Sequence, residues 1–396
     1  MTFMREEKKS VVFIPSYYYL SNNSYFNIAR HLRGSFNLVY FNTNDPFYTY
    51  KSNKDGIQKD EILKHFDEFI TMPNDPWIHS KRSNIVKLAK IWRWYRLKRD
   101  IESVLEKISP SAIVCSTDVG GFTVQVCNEW TIRRNIPFIY LQSSLIEYKI
   151  PRYSLRQRLQ YIILNKILGL PFERKQNQEC LEYDEDHYIF WSRFFLEKNK
   201  GRGSKKRYIA GNYNSEFNVE RSKDRVIAIC TQPIEEVFGQ EYAEMCIRSF
   251  ADLAKANKDR KFIVKVHPRE DITKYEKAFS GMKNCSVIRK MTLRELVSKS
   301  DLMIGICSNI ALDFVAAGVP IILIDFPPSD RFVDYYDHKI ELRAKDSREL
   351  ISATRKALSK RYLAEFRKKR ERYLLGFFGK EPDKENTLKI FRKIIG

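Results

Sequence analysis

The sequence predicts an α/β protein made of two doubly wound domains whose parallel sheets face a common cleft. Three observations carry that prediction. Short, mainly apolar segments such as VVFIP, SAIVCS, FIVKV and PIILID recur along the chain. Stretches with helical spacing alternate with them, and parallel neighbours need such a crossover. At 396 residues the chain also exceeds one ordinary core.

Val11 to Pro15 reads as a buried strand, followed by the aromatic, polar loop YYYLSNNSY. Phe26, Ile28, Ala29 and Leu32 then recur at helical spacing up to Gly34, and Phe36 to Phe41 is the next strand. Residues 42–80 are polar and turn-rich. Ser83 to Ile108 reads as one long helix. Its Trp92, Trp94, Tyr95, Arg96, Lys98 and Arg99 make either a packing helix with a solvated basic face or an interfacial basic face. The strand SAIVCS (Ser111 to Ser116) leads into TDVGGF, which puts Asp118 just past a strand's carboxyl end. There it either faces the crevice or caps the helix TVQVCNEWTIRRN. After the strand PFIYLQ, Leu155, Leu159, Ile162, Ile163, Ile167 and Leu170 recur at helical spacing between Lys149 and Arg174. Arg152, Arg156, Arg158 and Lys166 occupy other faces. This amphipathic basic helix either packs on the first domain or lies on an anionic leaflet.

His187 to Trp191 is a further strand, and the Gly-, Ser-, Lys- and Asn-rich residues 199–218 approach a linker. The first domain is accordingly placed at 1–205 and the second at 206–350. The second contains five strands, around VIAIC, FIVKV, CSVIR, LMIGI and PIILID, alternating with helices. Residues 351–396 read as strongly basic helices, the last of them folding back across the first domain.

No run approaches the roughly 18–20 continuous apolar residues of a membrane span. The charged start MTFMREEKKS lacks the apolar core of a signal peptide. Seven cysteines (Cys115, Cys127, Cys180, Cys230, Cys246, Cys285 and Cys307) show no ligand spacing, which points to a reducing, cytoplasmic setting without zinc. Seventy Lys plus Arg against 49 Asp plus Glu leave a net charge of +21, so an anionic partner is expected: nucleic acid, an anionic lipid surface or a phosphorylated substrate. No nucleic-acid-binding signature or repeat accompanies the charge, so a nucleic-acid-binding protein is kept only as the alternative of another class.

The chemically suggestive residues fall where strands of a doubly wound sheet end. They are Asp118 in the first domain and Thr231, Gln232, His267, Pro268, Ser308, Asn309 and Asp313 in the second. Ser308 and Asn309 suit the start of a helix, where unpaired N–H groups and the helix dipole favour a phosphate, or serve as a plain cap. Asp313, five residues on, is within reach of a ribose or is a surface carboxylate. His267 ends a strand with Pro268 fixing the backbone beyond it. It can donate to a phosphate, act as an acid or base, or be a structural histidine.

Gly211-Asn212, ICTQP (Ile229 to Pro233), KVHPRE (Lys265 to Glu270) and SDLMIGICSNIALDFVAAGVPIILID stand in an order that resembles the C-terminal domain of GT-B-fold enzymes. The likeness is to the bacterial surface-polysaccharide group: sialyl-, polysialyl- and Kdo-transferases, CDP-glycerol glycerophosphotransferases and UDP-N-acetylglucosamine 2-epimerases. It implies two Rossmann-like domains and a metal-independent reaction, with the nucleotide sugar a substrate and no cofactor. It further implies that His267 and Ser308-Asn309 bind the donor phosphates, that Asp313 holds the ribose, and that Thr231-Gln232 approach the sugar or phosphate. Asp118 is the nearest match to the family's acceptor base, with Asp45 and Glu147 as other candidates. The expected protein is a glycosyltransferase moving a sugar from a CMP- or UDP-sugar to a glycan or lipid-linked acceptor. Its expected place is cytoplasmic and peripheral at the inner face of the cell membrane, with an anionic membrane surface rather than nucleic acid as partner. A CDP-polyol phosphotransferase is the nearest rival.

Overall fold

The computed structural model describes residues 8–14, 19–42, 59–71, 84–116, 122–142, 159, 162–163, 167–170, 186–200, 206–213, 215, 219–306, 310–325 and 340–396. By internal contacts the chain divides into two units, Met1–Asn214 with Pro382–Gly396, and Ser215–Glu381.

In the first unit the chain runs β1 (Ser10–Ile14), α1 (Tyr19–Leu32), β2 (Asn37–Asn42), α2 (Lys59–Leu63), β3 (Glu68–Thr71), α3 (Asn84–Ile108) and β4 (Ala112–Cys115). It continues through α4 (Phe122–Arg134), β5 (Phe138–Leu141), β6 (His187–Phe190), α5 (Arg193–Lys198) and β7 (Arg207–Ile209). The sheet order is β3-β2-β1-β4-β5-β6-β7, with every pair parallel. Strands covered on both faces read as near-continuous apolar runs, and the residues of β4, β5 and β6 are all buried, His187 at the start of β6 included. Alternation then splits them between two cores. Val11 and Phe13 of β1 join one cluster with Ala112 and Val114 of β4, while Val12 and Ile14 join the other with Ile113 and Cys115.

Three features of this unit differ from the sequence reading. The first helix begins at Tyr19, inside the expected loop, and Tyr25 is buried with its hydroxyl donating to the Ile14 carbonyl at 2.8 Å. The turn-rich segment contains α2 and the edge strand β3, and the linker-like passage contains β7, which pairs with β6 and carries the unit past residue 205. Most of the expected amphipathic helix at 149–174 lies outside the described residues.

The second unit runs β8 (Val226–Cys230), α6 (Ile234–Phe238), α7 (Gln240–Ala256), β9 (Lys261–Lys265), α8 (Ile272–Ala278), β10 (Cys285–Ile288) and α9 (Leu293–Lys299). There follow β11 (Ser300–Gly305), α10 (Ile310–Ala316), β12 (Ile321–Ile324), β13 (Leu342–Ala344), α11 (Ser347–Ala357), α12 (Lys360–Tyr373) and a π-helical turn, Leu374–Phe378. The order β10-β9-β8-β11-β12-β13 is again wholly parallel and has six strands where five were expected. Both sheets thus reverse direction beside their first strand, at β1/β4 and at β8/β11, the doubly wound order.

The last helix, α13 (Lys384–Ile395), belongs to the first unit. Its Ile390, Phe391 and Ile394 enter the cluster that holds Val11 and Phe36, and Thr387 pairs with the Tyr213 hydroxyl at 2.6 Å. Helices α11 and α12 stay with the second unit. There Arg370 of α12 donates to the Val315 carbonyl at 2.8 Å and also to that of Ala316, closing the carboxyl end of α10. Gly318, at φ +81°, completes this stop. Its N–H reaches Val315 and that of Val319 reaches Phe314, the paired bonds of a Schellman motif.

Gly318→Ala should cost about 1 kcal/mol, because only glycine adopts that backbone without strain. Arg370→Met, which leaves two half-buried carbonyls unmet, should cost about 1–3 kcal/mol. Both should lower the urea midpoint without changing the slope.

Candidate functional site

In the second sheet the chain leaves β8 and β9 side by side at their carboxyl ends, next to the direction reversal at β8/β11. Thr231, the first residue past β8, is buried, and its N–H donates to the Lys265 carbonyl at 3.1 Å. Its hydroxyl accepts the His267 N–H at 2.8 Å and donates to the Glu270 carboxylate. Glu270 also accepts from the Tyr275 hydroxyl at 2.9 Å and the Ile234 N–H at 3.4 Å, while its own N–H donates to the His267 carbonyl at 3.0 Å. Burial pushes the Glu270 carboxyl above its ordinary value, and these hydrogen bonds oppose the shift.

The ring of His267 is oriented by the same loop. Nδ1 accepts the Arg269 N–H at 3.2 Å, so the proton of the neutral imidazole resides on Nε2. Burial, followed by the cations Arg269 and Lys265, depresses its pKa to about 4. At neutral pH His267 is therefore a neutral Nε2–H donor and not an imidazolium. Pro268 keeps the preceding backbone out of the helical region, which lets the turn swing back to Glu270.

Of the residues singled out from sequence, Thr231, Gln232, His267 and Pro268 come together at these two strand ends. Gln232 lies in a tight turn, its carbonyl accepting the Ile234 N–H at 2.6 Å. Asp313 stands on α10, and its carboxylate accepts a 2.6 Å bond from Ser215. The expected ribose ligand is thus engaged with the opening residue of this unit. Asp118, Ser308 and Asn309, as well as Asp45 and Glu147, lie outside the described residues. The strands that precede Asp118 and Ser308, β4 and β11, flank β1 and β8 at the two reversal points.

Glu270 and Tyr275 were not singled out, although Glu270 follows His267 by three residues in KVHPRE. A cavity of about 290 Å³ beside the loop is lined by Glu235, Glu236, Arg269, Glu270, Asp271 and Lys274, among others. Its cations are already paired, Arg269 with Glu236 at 3.0 Å and Lys274 with Glu235. With four carboxylates in its wall, it is poorly suited to a phosphate. Among the described residues no group of three or more His, Cys, Asp or Glu is arranged to hold a metal ion. None of their helices is long and apolar enough to cross a membrane.

No family model matches the chain by sequence, and no curated protein does. Solved structures do match by fold. The glycotransferase of kitacinnamycin superposes with a TM-score of 0.60 at 11% identity, over 98% of this chain and 100% of that one. The UDP-GlcNAc 2-epimerase from Neisseria meningitidis bound to UDP-GlcNAc gives 0.61 at 11%, over 97% and 100%. The glycosyltransferase SnogD from Streptomyces nogalater gives 0.57 at 13%, again over 97% and 100%. At these identities the likeness is one of fold. The two parallel-sheet α/β domains expected from sequence are present, in the GT-B-like arrangement of strands and helices.

The tautomer and the depressed pKa can be read by NMR. His267 should keep its proton on Nε2 at pH 7 and titrate near pH 4. His187, buried against Tyr208 beside Lys206, is likewise pushed down to about 4, by burial first. Both folded values lie below the roughly 6.5 of an unfolded chain, so the unfolded state binds more protons between those limits. Stability should be full above pH 6.5 and fall as the pH drops toward 4. His187→Gln should recover about 1 kcal/mol of the loss between pH 7 and pH 5, measured by urea unfolding.

Proposed function

We propose that this chain is a glycosyltransferase that takes a sugar from a CMP- or UDP-linked donor and passes it to a glycan or lipid-linked acceptor in surface-glycan assembly. The observation that carries the reading is the Thr231–His267–Glu270 cluster at adjoining strand ends. It holds a neutral imidazole with Nε2–H as a donor, backed by Lys265 and Arg269. The order of motifs, which resembles the sialyl-, polysialyl- and Kdo-transferase group, supports it, as does a fold shared with a glycotransferase and with a UDP-GlcNAc 2-epimerase bound to UDP-GlcNAc.

In this mechanism the acceptor hydroxyl attacks the anomeric carbon and the bond to the donor phosphate breaks. Asp118 takes the hydroxyl proton, with Asp45 and Glu147 as the other carboxylates available for that task. The leaving phosphate gains charge as the bond breaks, and His267 donates Nε2–H to it without surrendering the proton. A donor aimed at charge that develops in the transition state contributes more than one that binds the ground state. The depressed pKa suits this role, since an imidazole carrying its proton on Nε2 is not a base at that atom. Ser308 and Asn309 are assigned to the phosphates, Thr231 and Gln232 to the sugar or phosphate, and Asp313 to the ribose, for which it must exchange its bond with Ser215. No metal takes part, and no cofactor is needed beyond the donor substrate. The enzyme works in the cytoplasm, peripheral at the inner face of the membrane, with no nucleic acid as partner.

Superposition on epimerases as good as on transferases favours one second reading, an epimerase of a nucleotide sugar. Turnover of a nucleotide sugar with no acceptor present would establish it instead.

Thermal unfolding with CMP, CDP, UDP, GDP and dTDP should show stabilisation by CMP or UDP. A ligand at 100 times its Kd adds about 2.7 kcal/mol. Selectivity for CDP would point to the polyol phosphotransferase. His267→Ala should remove the nucleotide shift and lower kcat by about 10²–10³-fold while leaving the unliganded Tm nearly unchanged; near-normal turnover would remove the central residue of the proposal.

A further inference from the structure

Among the described residues ten large apolar side chains are exposed, and six of them fall in two segments of the first unit: Trp92 and Tyr95 in one, Leu159, Ile162, Ile163 and Ile167 in the other. Trp92 is 63% exposed and Ile167 71%. Such side chains scattered singly need no explanation, but a cluster does. Trp92, Tyr95, Arg96 and Arg99 stand at i, i+3, i+4 and i+7 on α3, which is one helical face. The opposite side of the same helix is buried, with Trp94, Ile101 and Leu105 in the core.

The second group is joined to this face by contacts within the unit. The Tyr95 hydroxyl donates to the Leu168 carbonyl, and Lys98 Nζ donates to that of Gly169 at 3.4 Å. Leu170 is buried in the cluster that contains Trp94. Ile167 precedes Leu168 directly, and the Leu168 N–H donates to the Ile163 carbonyl at 3.0 Å. The exposed isoleucines therefore adjoin the exposed aromatics through a pinned segment.

We infer that this face, built from Trp92, Tyr95, Arg96 and Arg99 with Ile163 and Ile167, docks the protein on an anionic lipid leaflet. Charge complementarity, together with the types of side chain exposed, points to that occupant. Tryptophan and tyrosine combine an apolar body with a polar tip and favour the level of lipid headgroups. The arginines interleave with them, the Arg96 guanidinium lying 6.0 Å from the Trp92 ring centroid, so cations that attract anionic headgroups stand beside the side chains that insert. The same segment of sequence carries Arg152, Arg156, Arg158 and Lys166, in a chain whose net charge is +21. Cations beside inserted apolar groups are the recipe for lying on an anionic surface without spanning it. The inference gives residues to the peripheral location proposed above, but it does not depend on the nature of the donor.

The test is co-sedimentation of the full chain with vesicles of phosphatidylcholine alone or mixed with phosphatidylglycerol. The parent protein should bind the mixed vesicles and not the neutral ones. Arg96→Glu with Arg99→Glu should weaken that binding at least about 25-fold, fivefold for each cation. Trp92→Ser with Ile167→Ser should weaken it by at least about tenfold. Lys389→Glu with Arg392→Glu makes the same change of charge on exposed positions of α13, which packs on the other face of the same sheet from α3, and should leave binding within about threefold, because charges on that far side are screened. Equal losses in the two charge pairs, equal binding to neutral vesicles, or unchanged binding by the first two variants would each overturn the inference. A concentration-dependent dimer abolished by Trp92→Ser would assign the face to a second copy. Each variant's Tm reports its folding, and the arginine pair, which alters only exposed tips, decides the matter if the apolar pair unfolds. The nucleotide-induced shift, read on the same samples, should persist in every variant. Its absence from the parent protein would count against the donor reading alone.

Discussion

The hydroxyl of Thr231 is the smallest group on which the site depends. Parallel pairing brings the carboxyl ends of β8 and β9 together, but it does not dictate how the two departing loops are arranged. By accepting the His267 N–H and donating to Glu270, Thr231 ties both loops to one atom. Glu270 then reaches the Tyr275 hydroxyl and the Ile234 N–H, so the first turns of the following helices are fastened to the same point. A buried carboxylate is costly unless its lone pairs are met. Here three donors on different parts of the chain meet them, and the imidazole inherits a defined orientation.

That orientation explains why the histidine is neutral and yet suited to an anion. Burial, and after it the cations Arg269 and Lys265, disfavour a second proton on the ring, and the Arg269 N–H occupies Nδ1, leaving the single ring proton on Nε2. The cations that depress the imidazole also raise the local potential that a phosphate would meet. Beside this loop the balance is reversed. Around the neighbouring cavity Arg269 and Lys274 are held by Glu236 and Glu235, so the acidic wall turns anions away from the flank of α6.

Three of the four edge strands, β3, β7 and β13, were the least legible part of the fold. β3 and β7 have no fully buried residue, and β13 has one, so none shows the continuous apolar run that marks β1, β4 or β12. A strand covered on both faces declares itself by composition, whereas a short edge strand exists because a neighbour offers it hydrogen bonds. For the same reason the Lys- and Gly-rich passage after residue 199 resembled a linker. Its RYI segment becomes β7 only through pairing with β6.

His267, Pro268 and Thr231 were visible because strand ends in doubly wound sheets follow directly from the apolar pattern. The sequence by itself determined the α/β class, the alternation of buried strands with helices, and the positions at which polar residues would collect. Only the tertiary structure decided which of them cooperate. It joined Thr231 to His267 and Glu270, gave Asp313 to Ser215, and set the imidazole's protonation. Burial on a strand is written in local composition, but the bonds from His267 to Thr231 and from Ser215 to Asp313 join residues 36 and 98 positions apart in the chain, and only folding brings those together.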